Sequence, residues 1–315
     1  MASLRPSGVV ELAEALRGLH SRGERVASIH LGALARVLDH TPEDMTVTVE
    51  AGLTFAALQA LLAERGQWLP IDPPKSDTLT IGDLLNEDRS GPRRFAFGTV
   101  REHLLGLQVV LADGRVIRNG GKVVKNVAGY DLCKLFVGAR GTLGVIVEAT
   151  FKLRPLPEAE RWVAARCGSL DGASSLVETV LNSELTPVVL DLHSVSNSES
   201  PTSSRLVLGL AGTREEVDWQ STKAADLGIA ERASLDYEAS FWSQPPEPHR
   251  LSVLPSRVTE MIRTSGASHW VARAGNGVIF HRGDLAPAGT ERPIQLMRRI
   301  KDAYDPRNIL PELNL

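Results

Sequence analysis

The run Gly141-Thr142-Leu143-Gly144-Val145-Ile146-Val147-Glu148 passes from a glycine-bracketed turn straight into a β-strand. Glycine at 141 and 144 lets the main chain turn tightly and approach a neighbour closely, so a flat ring can lie against such a strand entry. The strand continues through Ala149-Thr-Phe-Lys-Leu153 and stops before Pro155 and Pro157, which cannot donate to a ladder. Those prolines and the polar residues after them give the expected domain boundary, dividing the chain into 1–157 and 158–315.

Upstream of this run the same mixture of strands, helices and turns recurs. Val9, Leu12, Ala13, Leu16 and Leu19 share one face at helical spacing, and Gly23 closes that helix. Thr46-Val-Thr-Val-Glu50 alternates as a strand. Thr54 caps a helix carrying Phe55, Leu58, Leu61 and Leu62, and Gly66 ends it. Leu104 to Asn119 reads as a hairpin around Asp113-Gly114, where a type I′ turn is expected. A short helix is expected at 131–137.

Downstream the pattern predicts strands at 162–166, 187–193 and 205–210, with helices at 170–181 and 213–227. A Ser-rich loop at 194–204, a strand at 251–254 and a helix at 256–264 follow. A hairpin around Gly275-Asn276-Gly277 and a last helix from Ile294 to Tyr304 complete the reading. The fold class is therefore α+β, with a second domain built on hairpins and split βαβ units.

The 315 residues give room for two cores. A net charge of -3 from 35 Lys+Arg and 38 Asp+Glu offers no field for nucleic acid or anionic lipid, so a small molecule or protein partner is expected. Cys133 and Cys167 are too few for a disulfide framework or a zinc site and read as buried thiols. His103, His269 and His281 show no metal spacing. Glu11 and Glu14 interrupt any signal-peptide core, and no apolar run reaches the ~18 residues of a membrane span. The expectation is a soluble cytoplasmic protein, with any membrane association arising through partners.

Glycines crowd the stretch from Gly82 to Gly144. Thr80-Ile-Gly82 and Ser90-Gly-Pro-Arg-Arg94 offer hydroxyls and backbone amides to a phosphate or a ribityl chain, although a loop glycine is more often a plain turn. Arg93 and Arg94 suit a phosphate or carboxylate bidentately, or simply a solvated surface.

Taken in order, these segments resemble the FAD-binding domain of the vanillyl-alcohol-oxidase superfamily, the PCMH-type fold, and most nearly the FAD-binding E subunit of bacterial glycolate oxidase. The likeness runs through Val47-Thr-Val-Glu-Ala-Gly52, Leu62-Ala-Glu-Arg-Gly-Gln-Trp-Leu-Pro-Ile-Asp-Pro-Pro74 and Phe97-Gly-Thr-Val-Arg101. It continues in Gly120-Gly-Lys-Val-Val-Lys-Asn-Val-Ala-Gly-Tyr-Asp-Leu132 and Gly141-Thr-Leu-Gly-Val-Ile-Val-Glu148. It is continuous from about 43 to 157, and fainter at Ala272-Arg-Ala-Gly-Asn-Gly277 and Ile300-Lys-Asp-Ala-Tyr-Asp-Pro306.

The resemblance implies a PCMH-type FAD domain at 1–157 followed by an α+β cap. It also implies an oxidoreductase subunit of a glycolate (2-hydroxy acid) oxidase or dehydrogenase complex, partnered by a larger flavin subunit and an iron–sulfur subunit. FAD contacts are carried over to Pro73, Pro74, Thr80, Ile81, Gly82, Ser90, Gly91, Gly141, Gly144, Val145 and Ile146. Lys125, Tyr130 and Asp131 match positions lining the same cleft, and Lys122 and Lys134 flank them.

Two departures bear on the cofactor. Family members carry a Gly-Gly-Gly-Thr/Ser loop whose amides wrap the pyrophosphate, whereas Arg25-Val-Ala-Ser-Ile-His-Leu-Gly32 here runs straight into Ala33-Leu-Ala-Arg36, so the loop near residue 27 reads as deleted. Asp83, Glu87 and Asp88 stand where the family is uncharged, and carboxylates there repel a pyrophosphate. No acid/base pair is assignable, because the broader superfamily's histidine-rich motif is replaced by Ala274-Gly-Asn-Gly277. The sequence therefore assigns no catalytic residues. Two readings stand: an FAD-binding subunit, and a flavin-free structural subunit retaining the fold. A nicotinamide-dependent flavin reductase lacks a Gly-x-Gly-x-x-Gly fingerprint.

Overall fold

The computed structural model describes residues 1–121, 132–195, 203–282 and 294–313. The chain divides into two compact units. The first comprises the described residues of Met1–Arg89, Thr99–Leu156 and Gly289–Leu315, the second those of Ser90–Gly98 and Pro157–Ala288. The break after Leu156 lies beside the prolines at 155 and 157. Two excursions cross the expected boundary: a short segment at 90–98 joins the second unit, and the C-terminal stretch returns to the first.

The first unit opens with β1 (Ala2–Leu4), which pairs in parallel with β2 (Val26–Ile29) across helix α1 (Val9–Arg22). Gly23 ends α1 in the left-handed region at φ 67. Strands β3 (Val37–Thr41), β4 (Thr46–Glu50), β6 (Leu104–Val110), β7 (Val116–Gly120) and β8 (Val145–Lys152) form an antiparallel sheet ordered β3-β4-β8-β6-β7. The small strands β5 (Gln67–Trp68) and β9 (Arg154–Pro155) pair beside it. Successive residues of a strand face opposite sides. Thus Ile146 enters one core with Val109, Phe55 and Ile81, while Val145 and Val147 enter another with Leu12, Leu16, Ile309 and Leu310.

Helices α2 (Phe55–Ala63) and α3 (Ile81–Glu87) start where Thr54 and Thr80 accept backbone N–H bonds, as N-caps should. The 3.6-residue period of Phe55, Leu58 and Leu62 buries that face of α2. Helix α4 (Arg94–Phe97) belongs to the excursion, and the single-turn helices α5 (Val100–His103) and α6 (Cys133–Phe136) to the first unit. The hairpin of β6 and β7 forms, but with a different turn: only Gly114 has positive φ, and its amide donates to the Leu111 carbonyl. A type I turn followed by a left-handed glycine replaces the expected type I′ turn.

The second unit is one antiparallel sheet. Its strands are β10 (Ala159–Cys167), β11 (Val189–Ser194), β12 (Ser204–Gly212), β13 (Glu231–Arg232), β14 (His249–Ser252), β15 (His269–Arg273) and β16 (Val278–Arg282), ordered β13-β10-β12-β11-β15-β16-β14. Helices α7 (Leu170–Leu181), α8 (Arg214–Asp226) and α10 (Val258–Ser265) lay Ala173, Val217 and Ile262 against its apolar face. Helix α9 (Asp236–Ser243) brings Tyr237 and Glu238 to Asp191 and Arg273 of the sheet. The segment 90–98 is held by Arg93, which donates to Glu160 at 2.9 Å and stacks on Trp162, and by Phe95 over Gly275. Helix α11 (Ile294–Tyr304) belongs to the first unit. No helix among the described residues is long and apolar enough to cross a membrane.

Candidate functional site

A cleft of about 470 Å³ opens in the first unit. This lies within the ~300–1,000 Å³ typical of ligand pockets. One wall is β2 with the connection after it, Val26 to Gly32; the others come from Ala51 and Gly52, from Thr80, Gly82, Asp83 and Asn86 at α3, and from Arg140, Gly141 and Val145.

The connection between β2 and β3 is only residues 30–36. Leu34 N–H donates to the Leu31 carbonyl at 2.8 Å and closes a tight turn, and Gly52 N–H donates to Leu34. Gly52 is required there, because a Cβ would lie 2.0 Å from the Leu31 carbonyl oxygen. The short turn keeps open groups: the amides of Leu31 and Gly32 donate to no described residue, and nothing approaches Gly32 on its Cβ side.

At α3 the arrangement is different. The amides of Ile81, Gly82 and Asp83 donate to Leu53 O, Ala51 O and Thr80 Oγ1. The Thr80 hydroxyl donates to Asp83 at 2.6 Å. Asp83 is the one carboxylate among the described residues of the lining. Glu87 pairs with Arg89 instead, and Asp88 ends the helix with φ 49. Asn86 brings a buried side-chain oxygen with no hydrogen-bond partner, an acceptor that a ligand hydroxyl or amine would satisfy.

The opposite lip is the turn at 138–142. Gly138 and Arg140 N–H donate to Leu85 O at 2.8 Å and Asn86 O at 2.9 Å, which fastens this turn to α3. Gly141 (φ 71) is open on its Cβ side, whereas Gly144 is enclosed, with Val109, Val110 and Phe136 all within 3.3 Å of a Cβ there. The glycine before the strand therefore serves sheet packing rather than approach of a ring on that side.

The expected cofactor residues fall into several places. Thr80, Gly82, Gly141 and Val145 line the cleft. Ile81 and Ile146 point into the core, and Gly144 packs beneath the sheet. Pro73 and Pro74 lie in the irregular segment after β5, outside the lining. Ser90 and Gly91 belong to the second unit, where Arg94 donates to Ser90 at 3.2 Å. Lys122, Lys125, Tyr130 and Asp131 lie outside the described residues. Sequence reasoning missed Asn86 and Arg140, which follow no recurring motif; their place at the cleft emerges only once the 138–142 turn docks on α3.

The second unit holds a buried ionic cluster. Arg273 donates to Asp191 at 2.5 Å and to Glu238 at 2.6 and 2.8 Å, and Tyr237 Oη donates to Asp191 at 2.7 Å. Burial pushes Asp191 up to about 6 against the pull of Arg273, and Glu238 adds to the rise. Among the described residues no group of three metal-ligating side chains occurs.

Residues 16–120 match the family described as FAD binding domain. The first unit carries a PCMH-type FAD-binding domain. FAD is its cofactor. Over 156 residues, 50% of this chain, it is 38% identical to glycolate oxidase subunit GlcD of Bacillus subtilis (strain 168), covering 33% of that protein. Over 143 residues, 45% of this chain, it is 34% identical to glycolate oxidase subunit GlcE of Escherichia coli (strain K12), covering 41% of that protein. It is also 42% identical over 105 residues to a D-lactate dehydrogenase of Archaeoglobus fulgidus, covering 33% of this chain and 24% of the enzyme. The matches thus span well under half of these relatives. Among solved structures, alkyldihydroxyacetonephosphate synthase superposes over 99% of this chain and 77% of its own with TM-score 0.75 and 15% identity, a likeness of fold.

Free amides at Leu31, Gly32 and Gly141, an unsatisfied acceptor at Asn86, a cation at Arg140 and open glycines at 32 and 141 fit a dinucleotide. Among the described residues of the lining, Asp83 is the one group that opposes it.

Proposed function

We propose that the chain is the FAD-binding subunit of a glycolate (2-hydroxy acid) oxidase or dehydrogenase complex, working beside a larger flavin subunit and an iron–sulfur subunit. The observation that carries this reading is the cleft in the unit that matches the FAD-binding domain, with unengaged amides, Asn86 and Arg140 around it. Similarity to subunits named for glycolate oxidase supports the substrate class and the multi-subunit setting.

FAD, when bound, supplies the acceptor for a hydride and passes electrons onward. The chain's own contribution is to bind and orient. Leu31, Gly32 and Gly141 offer amide donors, Asn86 accepts from a hydroxyl or amine, and Arg140 offers positive charge. Thr80, Gly82 and Val145 shape the wall. The other cofactor contacts, Pro73, Pro74, Ile81, Ser90, Gly91, Gly144 and Ile146, stay in the proposal on the resemblance alone.

A second reading, a flavin-free structural subunit, is favoured by one specific feature: the first amides of α3 are all engaged within the protein and a carboxylate, Asp83, stands in their place. Visible absorbance of the full chain, purified alone and co-expressed with the candidate partner subunits, separates the two. Stoichiometric FAD released from this chain supports the first reading. A colourless chain that still co-purifies with its partners makes it a scaffold.

A further inference from the structure

Any dinucleotide in this cleft brings a pyrophosphate carrying two negative charges, and the cleft must balance them. The lining offers little for that purpose. Asp83 adds a third negative charge, and the amides at the start of α3 are already engaged. Among the described residues Arg140 is the only lysine or arginine in the lining, and its side chain makes no hydrogen bond or ion pair with any of them. It is exposed, yet its backbone is fixed by the Arg140 N–H bond to Asn86 O and by the Thr142 N–H bond to Ala139 O.

Arg140 has φ 52, a left-handed geometry that costs a non-glycine residue about 1–2 kcal/mol and that glycine or asparagine would adopt more readily. A long cationic residue is thus held in a strained backbone position, on a rigid base, in a lining that also contains the unsatisfied Asn86 oxygen and the Asp83 carboxylate.

We propose that Arg140 is the phosphate-binding residue of this cleft: its guanidinium carries the charge-assisted hydrogen bonds that hold the pyrophosphate and offset Asp83. The proposal rests on the reading of the cleft as a dinucleotide site and names the residue on which phosphate affinity depends. A guanidinium suits the task because its planar fork bonds two phosphate oxygens at once.

The test is calorimetric titration of the full chain, freed of bound nucleotide, with ADP and with adenosine. ADP carries the two phosphates and adenosine carries none. Arg140→Ala is expected to weaken ADP by on the order of tenfold, to leave adenosine unchanged, and to flatten the salt dependence of ADP binding; Arg140→Lys restores part of the loss. Thermal melts of the variants guard against a folding defect. Equal affinity of wild type and Arg140→Ala for ADP overturns the proposal, as does an equal loss for both probes. If the wild type binds ADP but Arg140 is indifferent, the dinucleotide site stands and only this assignment falls. If the wild type binds neither ADP nor FAD, the site reading and the assignment fall together.

Discussion

Lys301 Nζ donates to the main-chain carbonyl of Thr142 at 2.9 Å and to the Asp305 carboxylate at 2.6 Å, joining the last helix to the turn that forms one lip of the cleft. All three groups are buried. Asp305 in turn accepts the amides of Ile309 and Leu310, whose side chains fill the core beneath α1. Replacing Lys301 by Met leaves a carboxylate buried without its cation, which costs about 3–5 kcal/mol. Urea unfolding of K301M should show this loss, and the loss should shrink in a D305N background. A K301M protein as stable as wild type would mean that the helix is held by apolar contacts alone.

Asp83 and Arg140 place opposite charges in one cleft. Asp83→Asn keeps a side chain able to accept from Thr80 while removing the charge. Across partly solvated space, removing one like charge near a phosphate should tighten binding by a factor of about three to ten. Fluorescence titration with FAD reads this out. Weaker binding by D83N would show instead that the carboxylate accepts from a ligand hydroxyl, and Asp83 would then belong among the binding residues.

Legibility in the sequence tracked the range of the interactions. The period-two alternation of Thr46 to Glu50 and the apolar face of α1 are local patterns, and both elements form as read. The turn at Asp113-Gly114 was half legible: two residues specify a reversal, but the strand ends at Leu111 and Arg115 decide its type. The motif glycines were legible as a group and ambiguous singly. Gly141 is open, while Gly144 packs on Val109, Val110 and Phe136 from distant segments, which no local pattern reveals. The association of 90–98 with the second unit depends on Phe95 meeting Gly275 and Arg93 meeting Glu160, contacts far apart in the chain. Arg140 acquires its meaning only when the 138–142 turn is bonded to α3.

The Asp191 cluster makes the second unit sensitive to pH. Burial raises this carboxyl from an ordinary 3.8 to about 6. A carboxyl with a raised folded pKa stabilises the fold fully when protonated, below about pH 4, and that contribution is lost as pH rises through about 6. The amount is on the order of 3 kcal/mol. Asn at 191 is a permanently uncharged stand-in, so the stability of D191N relative to wild type should improve between pH 4 and pH 7. Denaturant unfolding at several pH values measures that difference. A constant difference across the window would mean that Asp191 stays ionised against Arg273 throughout.

Phe95 of the 90–98 segment packs on Gly275 in the turn between β15 and β16: a Cβ at that position would lie 2.1 Å from Cε2 of the ring. The ring packs, partly buried, against the unit's apolar core. Gly275→Ala should therefore destabilise the unit by about 1–3 kcal/mol, the usual cost of overpacking. With Phe95→Leu the clashing ring edge is gone, and the same alanine should cost less than half as much. A double-mutant cycle on these two positions gives the coupling directly. A coupling near zero would mean that Phe95 swings aside freely and that 90–98 is tied to the second unit chiefly by the pair Arg93 and Glu160; a coupling of about 1 kcal/mol or more makes the ring the anchor.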